Sequence, residues 1–413
     1  MGYEKLTREE DYLQSRADEY IWQWAKEFGV SRRRFLQILA AGGAAAALNG
    51  GARRNAGAAE AAPAPVIKPT PKELFNDFGS NKEMRWENMY ERGYLVPNEL
   101  FFVRNHTRTL LVDAEKWRLK IEGSGIEKPM ELTYDALLSL PSVSVIRYVE
   151  CAGNGRSFFN AVYGKKADGT QWKLGAIGVA EWTGVPLTEV LNRAGLKTSA
   201  RDVMPEGLDD LKVRRPIPVA KALEEDTLLV YAMNGQPLPP DHGFPVRVLI
   251  PGWIGVANIK WVGRIEVSEK PLFSAWNTDT YVLIGPDYKP EPPSKGPVLS
   301  SQDLKSALEL PWGGEVSAAR RLIRGRSWSP FGKITSVEYS LDQGKSWQTG
   351  RLREPDIAAA WVRWDFDWQP KPGTHTIRVR ATDEKGNTQP EKVLFNQQGY
   401  LYNAMVDHPL ELR

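Results

Sequence analysis

Residues 147–156 read Arg-Tyr-Val-Glu-Cys-Ala-Gly-Asn-Gly-Arg and hold Cys151, the single cysteine among 413 residues. The β-branched run 144–149 predicts a strand, and Gly153-Asn154-Gly155 predicts a turn directly after it. A thiol at that point is expected on exposed, flexible backbone, a poor place for a packed structural cysteine. Arg156 nearby favours the thiolate, the form that binds a metal. The competing reading is a lone packed cysteine, and the motifs on either side bear on the choice. One cysteine also excludes an intrachain disulfide, a zinc ribbon, a Cys-ligated iron–sulfur cluster and a CxxCH haem attachment. Redox chemistry in this chain would then rest on a bound cofactor.

Outward from the cysteine, histidine is informative because the chain has only four. Two stand in polar motifs with an arginine close by: His106 with Arg104 in FFVRNH (101–106), and His242 with Arg247 in DHGFPVR (241–247). Lys260, in NIKW, follows a glycine-rich stretch. Each taken alone reads as an ordinary surface or ion-pairing group. Together, on loops after strands, they are what a phosphorylated, anionic cofactor needs.

The intervening chain alternates strand-like and helical patterns. Segments 99–105, 117–122, 228–233 and 246–250 read as strands, with a turn at Asn234-Gly235. Segment 133–140 reads as a short helix stopped by Pro141, and 187–194 as one entered after Pro186 and ended by Gly195. Residues 70–95, polar and rich in Lys and Glu, read as an irregular arm. The pattern is α+β, a mixed α/β domain over 63–290 with long functional loops. KPEPPSKGPVLS, from residue 289, reads as a connector. Over 291–413 the pattern becomes pure strand and turn. ITSVEYSLDQGKSWQTG (334–350) and THTIRVRATDEKGNTQP (374–390) both alternate apolar with polar around a glycine turn, the signature of an immunoglobulin-like β-sandwich. Two domains also suit a length beyond what one core usually serves.

Residues 1–62 read as leader and linker, not fold. Ser31-Arg-Arg-Arg-Phe-Leu-Gln37 precedes an Ala/Gly/Leu stretch and an Ala/Pro-rich tail. Paired arginines before Phe35-Leu36 mark the twin-arginine type, which predicts export to the periplasm or another extracytoplasmic space, with a tether if uncleaved. An amphipathic helix with a polar tail is the alternative. The apolar run is too short and too rich in Ala and Gly for a stable membrane span. Residues 1–62 hold nine of the 54 Lys and Arg and eight of the 51 Asp and Glu, which leaves 45 against 43. Such near-neutrality, without a basic recognition motif, excludes nucleic acid as the partner.

FFVRNH, ECAGNGR, QWKLGAIGVAEWTGVPL, MNGQPLPPDHGFPVRVLIPG and NIKWVGRIEV stand in the order of the motifs of the sulfite oxidase family of molybdopterin enzymes. SVEYSLDQGKSW resembles that family's second, dimerisation domain, and the resemblance runs from about residue 95 to the carboxyl terminus. It implies molybdenum held by a pterin dithiolene, with Cys151 as the one protein ligand; a soft thiolate suits a metal that cycles by two electrons. It carries pterin and phosphate binding onto His106, Asp209, His242, Arg247 and Lys260. It carries the anion grip onto Arg104 and Arg156, the pocket wall onto Trp172, and a proton-passing hydroxyl beside the metal onto Tyr281. Arg363 is a further candidate for an arginine reaching in from the second domain.

One departure is Gly155, which stands where the family often has the first of two arginines. The activity so implied is oxidation of sulfite, or a related small sulfur oxyanion, to sulfate. No haem is expected in this chain, so electrons pass to an external carrier such as cytochrome c, and a homodimer is expected. The rivals on the same scaffold are a sulfane dehydrogenase subunit, an exported methionine-sulfoxide reductase, and a metal-free carrier. Arginine beside the thiol favours an anionic substrate, and the second domain counts against the reductase.

Overall fold

The run after Leu140 becomes the strand Val143–Glu150, the edge of a five-stranded sheet. It pairs antiparallel with Ile177–Pro186 along its whole length, from Val143 opposite Gly184 to Glu150 opposite Ile177. Ile177–Pro186 pairs in turn with Leu228–Met233, which also carries Gln236–Pro237 and Arg247–Leu249. The expected turn at Asn234-Gly235 joins two of these strands, with both residues at positive φ (53° and 71°) as a tight two-residue hairpin requires. The computed structural model describes residues 65–413 apart from Glu91, Ala318, Ala319 and Pro370. The leader and its paired arginines lie outside the described residues.

A second sheet runs in the order Met130–Thr133, Arg118–Glu122, Val262–Ser268, Asp202–Gly207, Ile217–Pro218. It is mixed, because Arg118–Glu122 lies parallel to Val262–Ser268 while the other pairs are antiparallel. Leu119, Ile121, Val185, Leu191, Val248 and Ile265 belong to one core that both sheets contribute to. Helices are short and serve as connectors. Tyr134–Leu138 starts where Thr133 accepts the Ala136 amide at 3.1 Å, and Leu187–Arg193 is followed by Gly195 at φ +71°. Among the described residues no helix is long and apolar enough to cross a membrane.

Two expectations change. Segment 99–105 is not a strand: the Pro97 carbonyl accepts the amides of both Leu100 and Phe101, and only Val103 bridges, to Lys82. Its Leu-Phe-Phe-Val run is buried on all sides, so apolar content misleads where period-2 alternation is missing. Residues 70–95 are also more ordered than an arm, with a hairpin of Phe75–Phe78 and Asn81–Met84 and a 3₁₀ turn at Trp86–Met89. Phe75, Met84, Trp86, Met89 and Tyr94 tie this segment to the core.

The carboxyl-terminal third forms two facing sheets. One runs Lys305–Leu308, Leu322–Trp328, Trp361–Asp367, Arg351–Arg353; the other Glu315–Val316, Asp407–Leu412, Gly373–Asp383, Ile334–Ser340, Gln348–Thr349. Ile323, Trp364 and Phe366 of the first meet Val337, Ile377 and Leu410 of the second in their own core, which makes this the expected sandwich. The two domains are joined by more than a connector. Trp328 and Trp361 of the sandwich pack on Trp86 at 6.0 and 5.9 Å. The proline-rich connector lies along the first domain, with the Leu299 amide on the Tyr281 carbonyl at 3.0 Å. The final loop returns to the cysteine turn, where the Leu401 amide donates to the Ala152 carbonyl at 2.9 Å.

Candidate active site

The strand Val143–Glu150 ends by delivering Cys151 to the wall of an open cavity, whose empty space of about 720 Å³ includes the solvent at its mouth. Arg104, His106, Asp209, His242, Arg247, Lys260 and Tyr281 line the same cavity. Arg104 and His106 share one segment, Asp209 follows the strand Asp202–Gly207, His242 precedes the strand Arg247–Leu249 that Arg247 opens, and Lys260 and Tyr281 stand on either side of the strand Val262–Ser268. The expected exposed, flexible setting of Cys151 is corrected here: residues 151–156 are all buried, Cys151 to 6% exposure. The reason is tertiary, since the final loop and the first sandwich strand cover the turn.

Lys260 is held by two acceptors, the Asn105 side-chain oxygen and, at 2.8 Å, the Asp241 carbonyl. Arg247 donates to the carbonyls of His242 at 3.2 Å and Asn258 at 3.3 Å, with its guanidinium 5.0 Å from the Trp182 ring. Tyr281 stands at φ +55°, a strained position for a bulky residue, and its hydroxyl lies 3.0 Å from His106 Nε2. Its ring stacks on Tyr400 of the final loop at 5.1 Å and 13°. Buried Arg215 pins the segment before it by donating to the Trp276 carbonyl at 2.6 Å.

Electrostatics mark this cavity as built for an anion. Burial pushes His106, His242 and Lys260 well below their ordinary values, and neighbouring cations push each further in the same direction. Burial alone takes Arg247 down to about 9. Asp209 is raised by desolvation, against the pull of the Val213 amide and of Lys212 and Lys260. Desolvated and crowded in this way, these basic groups hold their protons well only when an anion joins them.

Three buried polar atoms on this wall have no partner: Arg104 Nη1, His242 Nε2 and Arg247 Nε. Buried donors are rarely left so, and these fit a ligand rich in acceptors. Among the described residues no three His, Cys, Asp or Glu side chains gather to hold a metal. A metal at Cys151 therefore has to bring most of its own ligands, as one carried by an organic dithiolate does. The residues present fit a phosphorylated pterin–metal group.

Trp172 and Arg156, both expected at the pocket, are not on this wall. Trp172 is 1% exposed and stands behind it, edge-on to Phe102 at 6.5 Å and to Phe78 at 5.7 Å. Arg156 is 5% exposed and already engaged: Nε donates to the Gln398 carbonyl and Nη1 to the Thr170 carbonyl, both at 2.7 Å, with Tyr400 5.3 Å from the guanidinium. In this arrangement it clamps the final loop, while burial raises the Tyr281 hydroxyl above its ordinary value against the opposing pull of Arg104 and, more weakly, Arg156. Gly155, at φ +92°, abuts Tyr402, whose Cβ would lie 3.2 Å from an added Cβ. Arg363 does not line the cavity; it donates to the Glu354 carbonyl at 2.7 Å.

Arg156→Gln is accordingly expected to lower unfolding free energy by about 2–4 kcal/mol through loss of two charge-assisted bonds in a buried site. Chemical denaturation of the two proteins checks this, and an unchanged midpoint would free Arg156 for a direct role on substrate. Residues that the sequence reading missed are Asn105, Asn258, Arg215 and Tyr400. Asn105 was in view beside His106, whereas Tyr400 lies 119 positions beyond Tyr281 and carries no local signal.

The fold and cavity define a class, and comparison with known proteins agrees. Residues 106–276 match the oxidoreductase molybdopterin-binding domain, and residues 302–409 match the Mo-co oxidoreductase dimerisation domain. The chain is 35% identical to the sulfite oxidase of Gallus gallus over 345 residues, covering 78% of this chain and 74% of that protein. It is 35% identical to the mitochondrial sulfite oxidase of Homo sapiens over 331 residues, 75% of this chain and 60% of that protein. Among solved structures, the sulfane dehydrogenase SoxCD of Paracoccus pantotrophus superposes with a TM-score of 0.69 at 29% identity, over 79% of this chain and 82% of that one. This chain belongs to the sulfite oxidase family of molybdopterin oxidoreductases. It spans about three fifths of the length of the human relative.

Proposed function

We propose that this chain oxidises sulfite to sulfate outside the cytoplasm and passes the electrons to an external carrier such as cytochrome c. The observation that carries the reading is the convergence of the single thiol with Arg104, His106, His242, Arg247 and Lys260 on one cavity. His242, Arg247, Lys260, Asp209 and His106 would hold the pterin and its phosphate, and Cys151 would ligate the metal. Bound there, a molybdenum–dithiolene centre supplies a two-electron oxidation in which water is the oxygen source. Sulfite plus water gives sulfate, two protons and two electrons. Arg104, with an uncommitted buried donor, is suited to gripping the oxyanion. The 3.0 Å contact between the Tyr281 hydroxyl and His106 offers a route for the protons. The sandwich domain would join two copies, and the paired arginines of residues 32–34 would direct export.

A second reading, oxidation of a sulfane sulfur, has one observation in its favour. With Gly155 uncharged and Arg156 tied to two carbonyls, fewer cations are free to grip a doubly charged oxyanion than the motif implies. One assay separates these readings. Purified protein is expected to carry close to one molybdenum per chain and to reduce cytochrome c or ferricyanide with sulfite at about 1 s⁻¹ or faster. Molybdenum without a sulfite-dependent rate would favour the sulfane reading, and no molybdenum would leave a non-catalytic scaffold.

A further inference from the structure

What fixes the strand end that carries Cys151 comes from the other domain. Glu150 is wholly buried, and both carboxylate oxygens are taken. Oε1 accepts from Lys305 Nζ at 2.8 Å and from Asn154 Nδ2 at 3.0 Å; Oε2 accepts from Trp328 Nε1 at 2.9 Å. Lys305 Nζ also donates to the Asn154 carbonyl at 3.2 Å, and Gln302 Nε2 to the Glu150 carbonyl at 2.7 Å. Asn154 closes the turn by donating its amide to the Cys151 carbonyl at 2.9 Å. Lys305 and Trp328 are directly opposite one another on paired sandwich strands. One rigid cross-strand pair therefore grips residues 150 and 154, the two ends of the cysteine turn.

A buried ion pair adds little net stability, because desolvation offsets most of its attraction. Short charge-assisted bonds do supply direction, and Lys305 also cancels a negative charge one residue away from the thiol. We propose that Glu150, Lys305 and Trp328 are positioning residues through which the sandwich domain sets the location of the Cys151 sulfur. Docking of the two domains and competence of the thiol are then a single event. The functional meaning rests on Cys151 as the metal ligand, but the position of the turn can be read without that assumption.

Because Cys151 is the single cysteine, any thiol label reports on it alone. The full-length protein, as purified, is treated with a disulfide reagent such as dithionitrobenzoate, and its molybdenum is measured separately. Lys305→Met and Glu150→Gln are expected to label at least tenfold faster than the parent. Arg326→Met breaks a different buried pair, with Glu309 at 2.6 Å, whose arginine holds the carbonyls of Gly93 and Tyr94 and not the cysteine turn. It is expected to label at the parental rate even where it unfolds more easily. Parental rates in the first two variants, or equal acceleration in Arg326→Met, would overturn the proposal. Should the charge variants fail to fold, Trp328→Phe keeps the ring and removes one donor; labelling at least threefold faster supports the proposal and an unchanged rate defeats it. A parent without molybdenum would remove the proposed function while leaving this comparison intact.

Discussion

Cys151→Ser is expected to abolish sulfite-dependent acceptor reduction, by roughly a thousandfold or more, while the protein still folds. Serine nearly matches cysteine in volume, yet its hydroxyl stays protonated at neutral pH and offers a hard donor where a soft anion is needed. The local fold does not depend on the sulfur: the residue's amide donates to the Ala176 carbonyl at 2.9 Å, and its carbonyl accepts the Asn154 amide. Steady-state rates, molybdenum per chain and a thermal unfolding curve together check the outcome. Equal rates in the two proteins would overturn the ligand assignment.

Arg247→Met is expected to reduce retained cofactor at least tenfold while leaving the cofactor-free protein as stable as the parent, or more stable. The sign follows from burial. Without an anion, the guanidinium is a fully desolvated charge in the neighbourhood of His242 and Lys260, and its bonds to two carbonyls are long, at 3.2 and 3.3 Å. Its proton affinity, lowered to about 9, corresponds to a desolvation penalty on the order of a few kcal/mol, which methionine removes. With a phosphate in place, the same charge becomes the partner of an anion, and its loss weakens binding. Unfolding midpoints of cofactor-free parent and variant, with pterin and molybdenum content of the loaded forms, check both halves. A clear drop in the cofactor-free midpoint would show that Arg247 serves the fold instead of the ligand.

The same residues separate what local chemistry shows from what it hides. The strand before Cys151, the Gly-Asn-Gly turn, the hairpin at Asn234-Gly235 and the sandwich hairpin of Ile334–Ser340 with Gln348–Thr349 were legible because period-2 alternation and turn residues act over a few positions. Segment 99–105 was misread because a run buried on every side has no alternation to show. The cavity-lining cations were legible as a set because His, Arg and Lys in rare polar motifs stand out. Their mutual crowding was not, since it depends on distances between loops.

Arg156 makes the division plain. Chemistry alone assigns a guanidinium beside a thiol to an anion, and nothing in the neighbouring sequence says that the carbonyls of Thr170 and Gln398 will claim it. The sequence by itself determined the residue types available to the site, the strand that presents the thiol and the two-domain plan, because these follow from side-chain chemistry and short-range periodicity. Only the tertiary structure decided that the cysteine turn is buried, that Tyr400 stacks on Tyr281, and that Lys305 and Trp328 hold Glu150. Those contacts join positions 119 to 178 residues apart, and they exist only once the sandwich has docked on the first domain.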